Sequence, residues 1–155
     1  MEYRDRIQAV QRMQDCIDPH LMEPISLLML ARAVGYSPFH SARLFKEITG
    51  KTPFDYIRAL RLSEAAIRLS EGSVKVTDVA FDFIFESQEG FTQAFSKQFG
   101  INPRLYGQKK PPLKLFMPEP ASDYYLNKQK GETDMAKQID TKTVFVQVVN
   151  RLGAS

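Results

Sequence analysis

The chain writes one pattern twice. "SPFHSARLFKEITGKTPFDYI", residues 37–57, returns fifty residues later as "SQEGFTQAFSKQFGINPRLYG", residues 87–107. At that interval Ser37 falls on Ser87, Phe45 on Phe95, Gly50 on Gly100, Pro53 on Pro103 and Tyr56 on Tyr106. Each copy carries a capping hydroxyl, an apolar stripe at helical spacing, a glycine stop and a proline restart. A chain built this way is held to two similar helical units.

The same signals run along the rest of the first 110 residues. Ile7, Val10, Met13 and Ile17 recur at helical spacing and end before Asp18-Pro19. Ser26 can cap a helix carrying Leu27, Leu30, Ala31 and Val34, which Gly35 stops. Ser37-Pro38 starts a helix that runs to Gly50, and Thr52-Pro53 opens a long one through Leu60 and Leu69 to Gly72. Val76, Val79, Ala80 and Phe83 mark a short helix, Ser87 opens the next, and Asn102-Pro103 begins the last. The expected fold class is all-α: seven helices and no strand up to about residue 110.

After Lys109-Lys110 the character changes. "PPLKLFMPEPASDYY" has too many prolines for a helix interior, and "NKQKGETDMAKQIDTK" is polar. Residues 111–142 are therefore expected to be a proline-rich and polar linker. "TVFVQVV", residues 143–149, is β-branched and apolar, as a strand is, and a lone strand needs sheet partners. Residues 143–155 are expected to begin a truncated second domain.

Composition narrows the function. With 43% hydrophobic and 25% charged residues the chain is an ordinary globular protein, and a net charge of +3 permits an anionic partner without demanding one. The single cysteine, Cys16, cannot form an internal disulfide and suits a reducing cytoplasm. No window approaches a membrane span, so no membrane partner is expected. His20 and His40 are the only histidines and no Cys/His cluster accompanies them, so neither a metal nor a cofactor is expected. Paired carboxylates, a Ser/His/Asp set and a phosphate-binding glycine loop are also missing, which argues against an enzyme.

The two copies explain themselves as helix-turn-helix units, 26–35 with 38–49 and 76–83 with 88–99. In the first, Ser41, Leu44, Phe45 and Ile48 share one helical face, and Phe39, Ala42, Arg43 and Lys46 share the other. In the second, Phe91, Ala94, Phe95 and Phe99 point in, while Glu89, Thr92, Gln93 and Ser96 point out. A short capped helix with an apolar inner stripe and a polar outer one is what reading a major groove requires.

At this point the sequence resembles the DNA-binding domain of the AraC/XylS family of bacterial transcription regulators. "LARAVGYSPFHSARLFKEITGKTPFDYIRALRLSEAA" and "VTDVAFDFIFESQEGFTQAFSKQFGINPRLY" carry the resemblance, which covers roughly residues 5–108. It implies a double helix-turn-helix domain over 1–110, with units at about 5–50 and 73–108 joined by a linking helix over 53–71. It also implies recognition helices entering successive major grooves of double-stranded DNA. Carried over by position, base contacts would come from Phe39, Ala42 and Arg43, with His40 and Lys46 nearby, and from Gln88, Glu89, Thr92 and Gln93, with Lys97 nearby. Phosphates would meet the helix N-termini at Ser37 and Ser87, and Arg104. RNA polymerase would be a protein partner. The tail is similar to a Rob-like branch in which a GyrI-like ligand-binding domain follows, so a small-molecule effector would act only through a domain this chain lacks, and residues 113–155 are expected to be dispensable for DNA binding.

Two departures from the family pattern carry expectations. Ile84 stands in "FDFIFES" where the family has glycine, so the second turn is expected to be strained or remodelled; the competing reading is an ordinary buried isoleucine. Gln93 replaces a position often basic in the family, and Glu89 lies beside it, so the first unit is expected to supply most of the affinity. A protein-interaction module that has lost DNA binding is the alternative function, and salt-dependent DNA binding separates the two.

Overall fold

The computed structural model describes residues 2–123. Among them are seven α-helices, one 3-10 turn and no strand, before helical geometry begins again at residues 121–123. The helices are α1 (Tyr3–Ile17), α2 (Leu27–Val34), α3 (Pro38–Thr49), α4 (Pro53–Ser70), α5 (Val76–Asp82), α6 (Gln88–Phe99) and α7 (Pro103–Lys109), with the 3-10 turn at Asp18–His20. The polar stretch 127–142 and the strand expected at 143–149 lie outside the described residues.

The starts and stops follow from local chemistry. Ser26, Ser37, Thr52, Ser87 and Asn102 each accept a hydrogen bond from the backbone N–H three residues on, at 3.1, 3.1, 3.2, 3.0 and 2.7 Å. That satisfies a donor the first helical turn would otherwise leave orphaned. Pro38, Pro53 and Pro103 open their helices where no hydrogen bond is lost. Gly50 and Gly100 end α3 and α6 at φ 83 and 75, in the left-handed region that closes the last turn. One stop differs from expectation. Helix α4 ends at Ser70, whose hydroxyl donates to the Ile67 carbonyl at 2.7 Å, and Gly72 takes no left-handed conformation.

The described residues form two compact units, residues 2–58 with 118–123, and residues 59–117, so that α4 contributes its first turns to one unit and the rest to the other. In the first unit α1 packs on α2 and α3. Val10, Met13 and Ile17 of α1, Leu30 of α2, and Phe45 of α3 are fully buried there. In the second, Leu62, Ala65, Ala66 and Leu69 of α4 enclose Val79, Ala80, Phe83, Phe91, Phe95 and Tyr106.

The proline-rich segment is extended, as its composition demands, yet it does not hang free. Leu113 and Leu115 are 6% and 3% exposed and belong to the second unit's core. The Phe116 N–H donates to the Ser63 hydroxyl at 2.8 Å. Residues 118–122 lie on the first unit, where the Ala121 N–H donates to the Gln14 side-chain carbonyl at 2.8 Å. The chain after Pro112 therefore adds two buried leucines to the second unit's core, and whether DNA binding needs it is a matter for truncation.

Candidate nucleic-acid interface

Each unit presents its second helix in the same way. The Ser37 and Ser87 hydroxyls cap α3 and α6, and the inner stripes are anchored by Phe45 and Phe95, both 0% exposed. Helical periodicity then turns the opposite stripes outward. On α3, Phe39, His40, Arg43 and Lys46 are exposed and Ala42 is half-buried at the stripe's edge. On α6, Gln88, Glu89, Gln93 and Lys97 are exposed and Thr92 is half-buried. Arg104 is exposed on α7 and adds a cation from a separate helix.

The outer face of α3 has internal order. Phe39 is 72% exposed, and the Arg43 guanidinium lies over its ring at 5.8 Å from the centroid, one helical turn away. The His40 ring rests against Tyr36 at 4.9 Å. Arg6 of α1 forms an ion pair with Glu47 of α3, and with Phe39, His40, Arg43 and Leu44 these two line a shallow depression of ≈ 270 Å³. Sequence reasoning missed Arg6 and Glu47. They are 41 positions apart, and only the packing of α1 against α3 brings them together.

The second unit differs in two places. The Thr77 hydroxyl donates to the Gln88 side-chain carbonyl, tying the start of α6 back to α5. The turn between these helices passes through Ile84 at φ 66. That is the left-handed region, costly for a β-branched side chain by about 1–2 kcal/mol. The turn is held there from both sides. Phe83 is 4% exposed, and Phe85 packs edge-on against Phe91 at 5.1 Å. The backbone N–H of Phe85 also reaches the Ala80 carbonyl at 3.0 Å. With Phe83 buried and Phe85 half-buried on either side, Ile84 is left the left-handed bend and 37% exposure. The reading of Ile84 as ordinary buried core is thereby overturned.

Burial raises the Asp18 carboxyl, with Asp15 adding to it, and lowers the Arg61 guanidinium. Cys16 is a half-buried free thiol, and the Cys16 carbonyl meets His20 Nδ1 at 2.8 Å. Among the described residues no group of three His, Cys, Asp or Glu side chains could hold a metal, and no helix is long and apolar enough to cross a membrane.

Comparison with known proteins places this architecture. Residues 30–109 match a family model described as a helix-turn-helix domain. The chain is 40% identical over 107 residues to the right origin-binding protein of Escherichia coli, an alignment covering 64% of this chain and 37% of that protein. It thus spans little more than a third of that relative's length. It is 34% identical over 99 residues to the regulatory protein SoxS of Escherichia coli, covering 64% of this chain and 92% of that one. Among solved structures it resembles a transcriptional regulator with an AraC-type DNA-binding domain from Chromobacterium violaceum. That match has a TM-score of 0.63 and 26% identity, covering 66% of this chain and 92% of the other. With two capped helix-turn-helix units in tandem and these relatives on both sequence and structure, the chain belongs to the AraC family of helix-turn-helix transcription regulators.

Proposed function

We propose that the chain binds duplex DNA sequence-specifically and regulates transcription, with α3 in one major groove and α6 in the next. The observation that carries this is the division of α3. One short helix holds Phe45 at 0% exposure and Phe39 at 72%, with the Arg43 guanidinium laid on the exposed ring. Folding needs the first phenylalanine and has no use for the second, whereas a base edge does. Arg43 pairs bidentately with guanine O6 and N7, and Phe39 and Ala42 offer apolar contact to a thymine methyl. Gln88, Thr92 and Gln93 read bases from α6, and Glu89 accepts from cytosine N4 while repelling phosphate. The first turns of α3 and α6 at Ser37 and Ser87, with His40, Lys46, Lys97 and Arg104, meet the backbone and set register.

Family membership supports extending the proposal to RNA polymerase as a partner. It also supports a small-molecule effector acting through a domain beyond this chain's helical part. The domain division proposed is a helical DNA-binding part followed by a connector.

The test is selection of duplexes from a random pool by the intact chain, followed by titration across salt concentrations. A selected sequence and a steep linear fall of log K with log salt are expected, since several phosphates are neutralised. Ultracentrifugation of the complex should find one chain on roughly two turns of duplex. Failure to select any sequence, or binding indifferent to salt, would overturn the proposal.

A further inference from the structure

We propose that Gln14 is a positioning residue for the recognition helix α3, linking it to the strap formed by residues 118–122; this rests on the DNA-binding reading above. Gln14 sits on α1 and is 5% exposed, so its amide must find partners inside the protein. It finds three. Its Nε2 donates to the Tyr56 hydroxyl at 3.1 Å and to the Glu119 carbonyl at 3.2 Å, and its Oε1 accepts from the Ala121 N–H at 2.8 Å. Turning the amide over would set an NH2 group against the Ala121 N–H, so the strap itself dictates the orientation. One turn earlier on α1, the Gln11 Oε1 accepts from the Ser122 N–H at 3.1 Å and from its hydroxyl at 3.0 Å. The strap is thus registered on one face of α1 at two successive turns.

On its other side Gln14 holds the back of α3. Tyr56 is 2% exposed, and its ring meets Phe45 edge-on at 4.8 Å. Phe45 is fully buried and lies between Arg43 and Lys46 in the middle of α3. A continuous series of contacts therefore runs from the strap backbone through Gln14 and Tyr56 to the inner face of the helix. Filling the volume at position 14 with an apolar side chain would keep the packing and lose the link. The strap position then sets how α3 is presented, and cutting the link weakens DNA binding in a chain that remains folded.

The experiment compares the unaltered 155-residue chain with Gln14→Met, which removes all three bonds, with Ala121→Pro, which deletes the strap-side donor, and with the double variant. The probe is a duplex the unaltered chain selects from random oligonucleotides, titrated at a temperature where melts show every variant folded. Each single variant is expected to raise Kd roughly five- to tenfold, the scale of one or two hydrogen bonds. The double variant should be no worse than the weaker single one, since both break the same link. Backbone amide resonances of Arg43 to Lys46 in the free chain should shift in both singles. Unchanged Kd with a lowered melting temperature would overturn the inference, as would additive effects in the double variant. Should the chain select no duplex, the DNA-binding reading fails instead, and the amide resonances alone decide. An α3 spectrum unmoved by Ala121→Pro would then refute the link.

Discussion

Tyr56 meets Phe45 edge-on, with ring centroids 4.8 Å apart and planes at 87°. In the second copy Tyr106 meets Phe95 at 5.9 Å and 45°. Each pair closes the same circuit. A helix carries the phenylalanine inward, a glycine stops it, a proline restarts the chain, and the tyrosine of the new helix returns to the phenylalanine. The phenylalanine, glycine, proline and tyrosine shared between the copies are those that dock each unit's second helix onto its successor, α3 onto α4 and α6 onto α7.

Burial raises both tyrosine hydroxyls above their usual range. For Tyr56 the Gln14 hydrogen bond opposes the shift and Asp18 and Asp15 add to it; for Tyr106 a hydrogen bond with Ser70 opposes it. A folded-state value above the unfolded one, about 10, means stability is fully present below that pH and declines as pH rises beyond it. Urea melts between pH 8 and 11 should show this loss, and Tyr56→Phe should lessen it. Equal slopes for the two chains would exclude Tyr56 as a contributor.

Ile84→Gly is expected to be neutral or stabilising by up to about 1 kcal/mol, because glycine occupies φ 66 without the steric penalty. Thermal or urea melts measure it. A loss beyond about 1 kcal/mol would show that the contacts of this partly exposed side chain outweigh the backbone strain.

Arg43→Ala should cost about 1–3 kcal/mol of binding and relax specificity at one base position. Gln93→Ala should cost less, since α6 presents the acidic Glu89 on its exposed face, which repels phosphate. Competition titrations with single-base variants of a selected duplex read both effects. The reverse ranking would move the dominant contact to α6.

A chain ending at Pro112 should be destabilised by about 3–6 kcal/mol, because Leu113 and Leu115 leave the core with the tail. A chain ending at Asp123 should keep both its melting temperature and its affinity. Circular dichroism melts of the two truncations decide this, and equal stability would mean the leucines are replaceable by solvent.

The sequence by itself determined where the helices begin, where all but α4 stop and which faces they turn outward. Ser37, Pro38, Gly50 and the stripe through Phe45 act on their own chain within one or two turns, so their effect can be read from spacing alone. Ile84 was legible as an anomaly, but its left-handed bend goes with the packing of Phe83 and Phe85 on either side. The strap shows the division most plainly. Its prolines announce an extended chain, and the alternation of Leu113 with Leu115 was a signal for burial that the prolines overshadowed. Nothing local announces that Gln14 will find its partners 105 and 107 positions away, or that Arg6 will pair with Glu47 across 41. Those contacts exist only once tertiary packing returns distant backbone to the surface of α1. A buried amide takes whichever partners the fold places within reach.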